Sequence, residues 1–233
     1  MIRPCAVLSL AAVAACAAAL PAQAGHLPTN SPYEDFSYKQ EVTLYTGWFT
    51  GATGRAGVGP QGAPLLGARY ALHLGGPVEL SAHVARAFSD RLVLSPADTG
   101  AARNRGTFSV ALYLADVGLT FNLTGEKSWH HLVPIFGFGG GLVSDGGTQK
   151  DIGDFGIGTT FAITFGTGIR YVPGGSWSAR LEIADYMYQA QYPNTYFAAP
   201  VGGTSILPAT SGQNQWLHNG VFTLGVSYMF RSR

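Results

Sequence analysis

The chain has 233 residues, of which 12% are charged, with 14 basic against 13 acidic side chains and 32 glycines. That charged share is about half the usual one, and the near-zero balance lacks the basic excess of a nucleic-acid-binding protein. Beyond residue 24 no apolar run reaches the ~18 to 20 residues of a spanning helix. Both cysteines, Cys5 and Cys16, lie before that point, which excludes disulfide, zinc and thiol chemistry from the remainder.

Residues 1–24 read as a secretory signal: Arg3, an apolar run from Cys5 to Leu20, then Ala22-Gln23-Ala24 before Gly25. Val13-Ala14-Ala15-Cys16 offers a competing lipoprotein cleavage box that would lipidate Cys16, although apolar alanines continue past it. Cleavage after Ala24 removes Arg3 and leaves 13 basic and 13 acidic residues. Residues 25–39 are a polar lead-in, expected as a periplasmic extension or partial plug. Residues 40–233 form the barrel domain of this reading.

Side chains alternate across a strand, so a two-residue period separates the faces of each segment. The first predicted strand, near 40–50, has Val42, Leu44, Thr46 and Trp48 in one phase and Tyr45 and Phe49 in the other, which leaves its facing ambiguous. The second, near 64–74, sets Leu66, Tyr70, Leu72 and Leu74 against Gly67, Arg69, Ala71 and His73, and Gly75-Gly76-Pro77 turns the chain. The third, near 78–88, sets Val78, Leu80, Ala82 and Val84 against Glu79, Ser81, His83 and Ala85. The fourth, near 108–123, opposes Tyr113, Val117, Leu119 and Phe121 to Leu114, Asp116, Gly118, Thr120 and Asn122.

Strand five, near 132–143, carries Leu132, Phe136, Phe138 and Leu142 against Gly137, Gly139 and Gly141. Strand six, near 157–171, opposes Phe161, Ile163, Phe165, Ile169 and Tyr171 to Thr164, Gly166, Gly168 and Arg170. Strand seven, near 177–188, opposes Trp177, Leu181 and Ile183 to Ser178, Arg180, Glu182 and Ala184. The eighth, Gly220–Phe230, is the clearest: Phe222, Leu224, Val226, Tyr228 and Phe230 share one face, and Val221, Thr223, Gly225, Ser227 and Met229 the other.

Large apolar side chains on one face of every strand, with mostly Gly, Ala, Ser and Thr on the other, fit lipid outside and a narrow lumen inside. The connections alternate long and short (51–63, 75–77, 89–106, 124–130, 144–156, 172–176, 189–215), as outer-membrane barrels do with outer loops and periplasmic turns. The predicted fold is all-β: a closed, antiparallel, eight-stranded transmembrane up-and-down β-barrel with four outer loops and both termini periplasmic. Aromatics gather at the two ends as interface belts, Trp129, Tyr171, Trp177, Tyr228 and Phe230 at one and Trp48, Phe88, Phe108, Tyr188 and Trp216 at the other.

Ionisable residues in the lumen phase are Arg69, His73, Glu79, His83, Asp116, Arg170, Arg180 and Glu182. Mirroring about the turns sets His73 opposite Glu79, Arg69 opposite His83, Gly168 opposite Arg180 and Gly166 opposite Glu182. The set reads as a charge network filling the interior, with an ion pathway as the functional alternative. Glu79, Ser81 and His83 share a face as an acid, a hydroxyl and a base, spaced about 6.6 Å apart, but no oxyanion hole can be named for them. Arg86 and Asp185 fall in the lipid phase near the outer rim, where the cost of a charge falls and snorkelling is available. An arginine at that rim has lipopolysaccharide phosphate as its other available contact. His218 is the one histidine of the outer rim, and no acid is assignable to it.

The signal, the strand and loop rhythm and the terminal segment ending on Phe230 resemble the eight-stranded OmpA-type superfamily, with its opacity-type and attachment-invasion-type members. The resemblance implies a barrel-closing signal in Phe222, Leu224, Val226, Tyr228 and Phe230, here followed by Arg231-Ser232-Arg233. It also implies the barrel assembly machinery, outer-membrane lipid and lipopolysaccharide as partners, together with an extracellular ligand. No globular module follows Phe230, so the peptidoglycan-binding domain of some relatives is not expected. The implied role is a non-enzymatic envelope or surface-binding barrel without cofactor or metal. A small pore for ions or small hydrophobic solutes is the alternative, and a lipid A-modifying enzyme the minor one.

Overall fold

The computed structural model describes residues 31–230; the predicted signal sequence with Cys16, residues 25–30 of the lead-in and residues 231–233 lie outside the described residues. The strands are β1 (Tyr33–Asp35), β2 (Gln40–Phe49), β3 (Ala63–Gly75), β4 (Val78–Leu94), β5 (Asn104–Asn122), β6 (Lys127–Trp129), β7 (Leu132–Ser144), β8 (Thr159–Tyr171), β9 (Trp177–Gln191) and β10 (Asn214–Phe230). Eight of them close a ring in the order β2–β3–β4–β5–β7–β8–β9–β10, and β10 returns to β2 through ten residue pairs from Val221↔Phe49 to Phe230↔Gln40. Every pairing is antiparallel. The short strands β1 and β6 pair with one another beside the ring.

The stagger of the ring follows from its registers. From Val42 the partners run through Tyr70, Ala82, Val117, Gly140, Ile163, Met187 and His218. Continuing the Val221↔Phe49 register, His218 falls opposite residue 52, ten positions above the start. Eight strands with that shear tilt by about 41° and give a backbone radius of about 8 Å, from a 3.3 Å rise and 4.8 Å strand spacing. Each residue then climbs about 2.5 Å along the axis, so ten residues cross an apolar band of about 25 Å.

Alternation decides the facing. On β10 the side chains of Phe222, Leu224 and Val226 are 47%, 58% and 56% exposed, while Ser227 is fully buried. On β2, Val42, Leu44 and Trp48 face outward, and Glu41, Tyr45 and Phe49 point into the lumen. Tight turns need glycine where β3 meets β4: Gly75 and Gly76 hold φ of +126° and +57°.

Two hairpins are longer than their sequence suggests. β4 and β5 continue through half of the predicted 89–106 loop, and β9 and β10 extend into the 189–215 loop. Polar residues end the alternation there, yet Ser89 and Arg91 are buried because they bond to the loops. The Gly168↔Arg180 and Gly166↔Glu182 expectations shift by two residues: Arg170 lies opposite Arg180, and Gly168 opposite Glu182. The five-residue connection after Tyr171 is asymmetric about its midpoint, which mirroring ignores. Arg69↔His83 and His73↔Glu79 stand as cross-strand pairs.

Candidate functional site: the lumen and its two closures

Near the periplasmic end of the reading above, three carboxylates and three guanidinium groups interlock. Glu41 of β2 accepts from Arg180 at 2.7 Å, from Arg69 at 3.3 Å and from Arg170. Glu79 of β4 accepts from Arg69 and Arg170, both at 3.1 Å, and from Asn122 at 2.8 Å. Glu182 of β9 takes the Nε of Arg180 at 2.5 Å. Six strands thus contribute to a lattice of three charges against three. Glu41, Glu79 and Arg170 are fully buried, so this is the electrostatic floor of the lumen. Low local dielectric makes such a lattice costly to leave incomplete.

The floor is completed from below by the segment between β1 and β2. Tyr38, 3% exposed, donates its hydroxyl to Glu79 and accepts from Arg170 at 2.7 Å. Its ring lies 4.4 Å under the Arg170 guanidinium and stacks on Phe36 at 5.7 Å. Burial pushes the Tyr38 phenol up to about 12, against the pull of the Arg170 cation. Phe36 and Tyr38, with Val133, Ile135, Val172 and Met229, make an apolar stopper at this mouth.

Above the floor, His83 Nδ1 bonds to Asp116 at 2.8 Å, and the Tyr186 hydroxyl donates to the other oxygen of Asp116 at 2.5 Å. A cavity of about 90 Å³ lies between this trio and the arginines. That is room for several waters and is well below the roughly 300 Å³ of small-molecule sites. Glu79, Ser81 and His83 are not brought together: Glu79 belongs to the arginines, Ser81 to Thr120 at 3.3 Å, and His83 to Asp116. His73 bonds to Glu126 at the mouth, not to Glu79 beside it.

The upper lumen is apolar. Phe49, Leu65, Leu112, Leu114, Tyr188 and Leu217 fill it, each 3% exposed or less. This corrects two expectations: Tyr188 belongs to the interior and not to the outer belt, and the inward face is not small throughout. Phe108 lies opposite Arg91, in the inward phase, but above the rim and 63% exposed. Over this layer the loops form a second core of Val58, Phe155, Tyr192, Tyr196 and Leu207. Arg91 ties it down, bonding Asp151 at 2.6 Å and the carbonyl of Phe155 at 3.2 Å. Burial, then the Asp151 charge, raises the Tyr196 phenol.

On the outer wall, Arg86 lies over Phe88 at 5.0 Å and Tyr113 at 5.5 Å. His218 does have an acid: its Nδ1 bonds to Asp185 at 2.7 Å across the β9–β10 pair. The two are diagonal neighbours across that pair, and the alternation of Gly220–Phe230 does not reach His218. Reading the residues missed Glu41 and Tyr38 for the floor. Glu41 shares its phase with Tyr45 and Phe49, which was the available signal; nothing in the sequence placed Tyr38 under Arg170. Among the described residues no group of three or more His, Cys, Asp or Glu is arranged to hold a metal ion, and no helix is long and apolar enough to cross a membrane.

A closed ring of eight antiparallel strands with a lipid-compatible apolar wall and a charged, packed interior is a transmembrane β-barrel. No family model and no curated protein sequence matches the chain. Three solved structures similar to it are outer-membrane β-barrels. The N-terminal β-barrel domain of Pseudomonas aeruginosa OprF shows 12% identity and a TM-score of 0.46, covering 84% of this chain and all of that one. Neisserial surface protein A shows 11% identity and a TM-score of 0.45, covering 86% and 98%. Ail of Yersinia pestis, solved with the heparin analogue sucrose octasulfate, shows 11% identity and a TM-score of 0.37, covering 82% and 99%. At those scores the likenesses carry no weight of their own; the ring, its shear and its facing do.

Proposed function

We propose that this protein is a non-enzymatic barrel of the bacterial outer membrane that does not conduct and that presents its folded outer loops as a binding surface. The observation that carries this reading is the double closure of the lumen: the arginine–glutamate floor with Tyr38 below, and the apolar layer with the loop core above. A pore would have to open both. In this reading residues 1–24 are a cleaved signal, both termini are periplasmic, and the long loops face the medium. The β10 row from Phe222 to Phe230 serves the assembly machinery, and lipid and lipopolysaccharide surround the wall. Planar-bilayer recording of the refolded protein tests it: silence is expected, and steady stepwise currents would overturn it.

One observation favours a second reading, the lipid A-modifying enzyme. The His218–Asp185 pair stands on the lipid-facing wall, with the His218 ring 65% exposed. A histidine oriented by a carboxylate is one half of an acyl-transfer site, but a nucleophile must be added. Release of fatty acid from lipid A that is lost in His218→Ala would establish this reading.

A further inference from the structure

The β4–β5 hairpin rises well beyond the aromatic belt, and one side of it is bare. Pairing of β5 with β7 begins at Tyr113↔Ser144, so residues 104–112 have β4 on one side and no strand on the other. Tyr113 stands about 20 Å above Phe121 along the axis, at the top of the apolar band, so this stretch is in water. Asn104 to Ser109 are all exposed.

Hydrogen-bond parity shows which groups are bare. Asn122 donates its N–H to Pro77 before β4, and Leu123 donates to Pro134 of β7. Even-numbered residues of β5 therefore face β4 and odd-numbered residues face the β7 side. The register runs unbroken from there up to Leu92↔Thr107. Thr107, Ser109 and Ala111 thus point three N–H and three C=O groups away from the barrel over about 14 Å.

Loops meet other projecting strand edges over part of their length. Gln61 donates to the Asp90 carbonyl at 2.9 Å, and Pro60 bridges to Arg91, which closes the outer edge of β4. Arg55 caps β10, donating to Gly212 at 2.8 Å and Asn214 at 3.2 Å. Beside Ser144 the chain turns away, with Asp145 donating to Gly158. Among the described residues nothing takes that place along Thr107–Ala111. Nor is the edge guarded by proline, lysine or a bulge within that span, as natural edges usually are. Arg105, just above, is paired with Asp98.

We infer that this edge receives an extended segment of a foreign polypeptide, which adds to β5 as a strand in the line that β7 vacates. The inference rests on the surface-binding reading and names its partner class. A second copy in the same membrane does not fit: strands tilted by about 41° and related by a two-fold axis along the membrane normal cross at about 82°, too steep for a ladder. Main-chain pairing makes the site tolerant of sequence, while Phe108, on the lumenal side of the hairpin, favours segments with alternate aromatic or β-branched residues.

The test uses the refolded protein in phospholipid nanodiscs and a lysine-flanked fluorescent peptide alternating threonine with valine and phenylalanine. Without peptide, the amides of Thr107, Ser109 and Ala111 should exchange quickly and those of Phe108 and Val110 slowly. Peptide should protect the first three. Ser109→Pro removes one edge donor without touching the β4 ladder, so the barrel keeps its circular dichroism and binding falls at least tenfold. Ser109→Ala should bind within about twofold of the parent. Equal binding to Ser109→Pro, or edge amides already as slow as Phe108, overturns the inference. Binding that survives Ser109→Pro with protection moved to 145–158 or 192–213 sinks the edge site and leaves the surface-binding reading standing. Stepwise currents sink the surface-binding reading itself.

Discussion

Glu41 is the side chain on which the floor of the barrel depends most. It accepts from Arg69, Arg170 and Arg180 and is fully buried. Glu41→Gln keeps the volume and removes the charge, leaving three guanidinium groups facing Glu79 and Glu182. Removing one partner from a buried ion pair costs about 3–5 kcal/mol, because the remaining charge is uncompensated. With a urea slope of about 2 kcal/mol/M, the unfolding midpoint should fall by about 2 M. The assay is equilibrium unfolding of the refolded barrel in lipid vesicles, followed by tryptophan fluorescence. Pairing Glu41→Gln with Arg180→Gln should recover at least 1 kcal/mol, since the double variant restores the balance of charge. A midpoint change below about 0.5 M, or strict additivity in the double variant, would refute the claim that the lattice acts as one neutral unit.

Three further outcomes follow from local geometry. The Tyr38 phenol is raised to about 12 in the fold against 10 when free, so its contribution is full below pH 10 and is lost as pH climbs from 10 through 12. The two-unit shift corresponds to about 3 kcal/mol; a difference titration against Tyr38→Phe that finds phenolate forming near pH 10 would contradict the docking. A Cβ at Gly47 would lie 1.8 Å from the Phe222 carbonyl oxygen, so Gly47→Ala should strain the β2–β10 seam by about 1–3 kcal/mol and slow refolding. Refolding at the parental rate and stability would count against the observed seam. Arg91→Met breaks a buried ion pair and the bond to Phe155, so limited proteolysis should nick residues 145–158 while the strands stay intact; a loop as resistant as the parent's would show that Arg91 does not hold the crown.

What reading the residues could reach was set by how local each signal is. Period two is local, so eight strands and most of their facings were legible, and β10 most of all. Their ends were less so, because Ser89-Asp90-Arg91 and Asn214-Gln215 are polar and break the alternation where the strands run on. There, loops satisfy the polar groups: Ser89 bonds to Gln61, and Asn219 to the Tyr186 carbonyl. Pair partners were legible across a tight symmetric turn, as with Arg69↔His83, and failed across the asymmetric one after Tyr171.

Composition and alternation alone determined that this chain is a membrane barrel with an apolar wall, because the exterior of every strand must meet one solvent. Only the closed ring decided that Glu41, Glu79 and Glu182 share Arg69, Arg170 and Arg180, or that His218 meets Asp185. Shear displaces neighbouring strands by ten residues in one circuit, so residues at the same depth are far apart in number. It also decided that Tyr38 plugs one mouth, that the other is sealed by apolar side chains, and that β5 outruns β7. These are distances between segments, and periodicity carries no information about them.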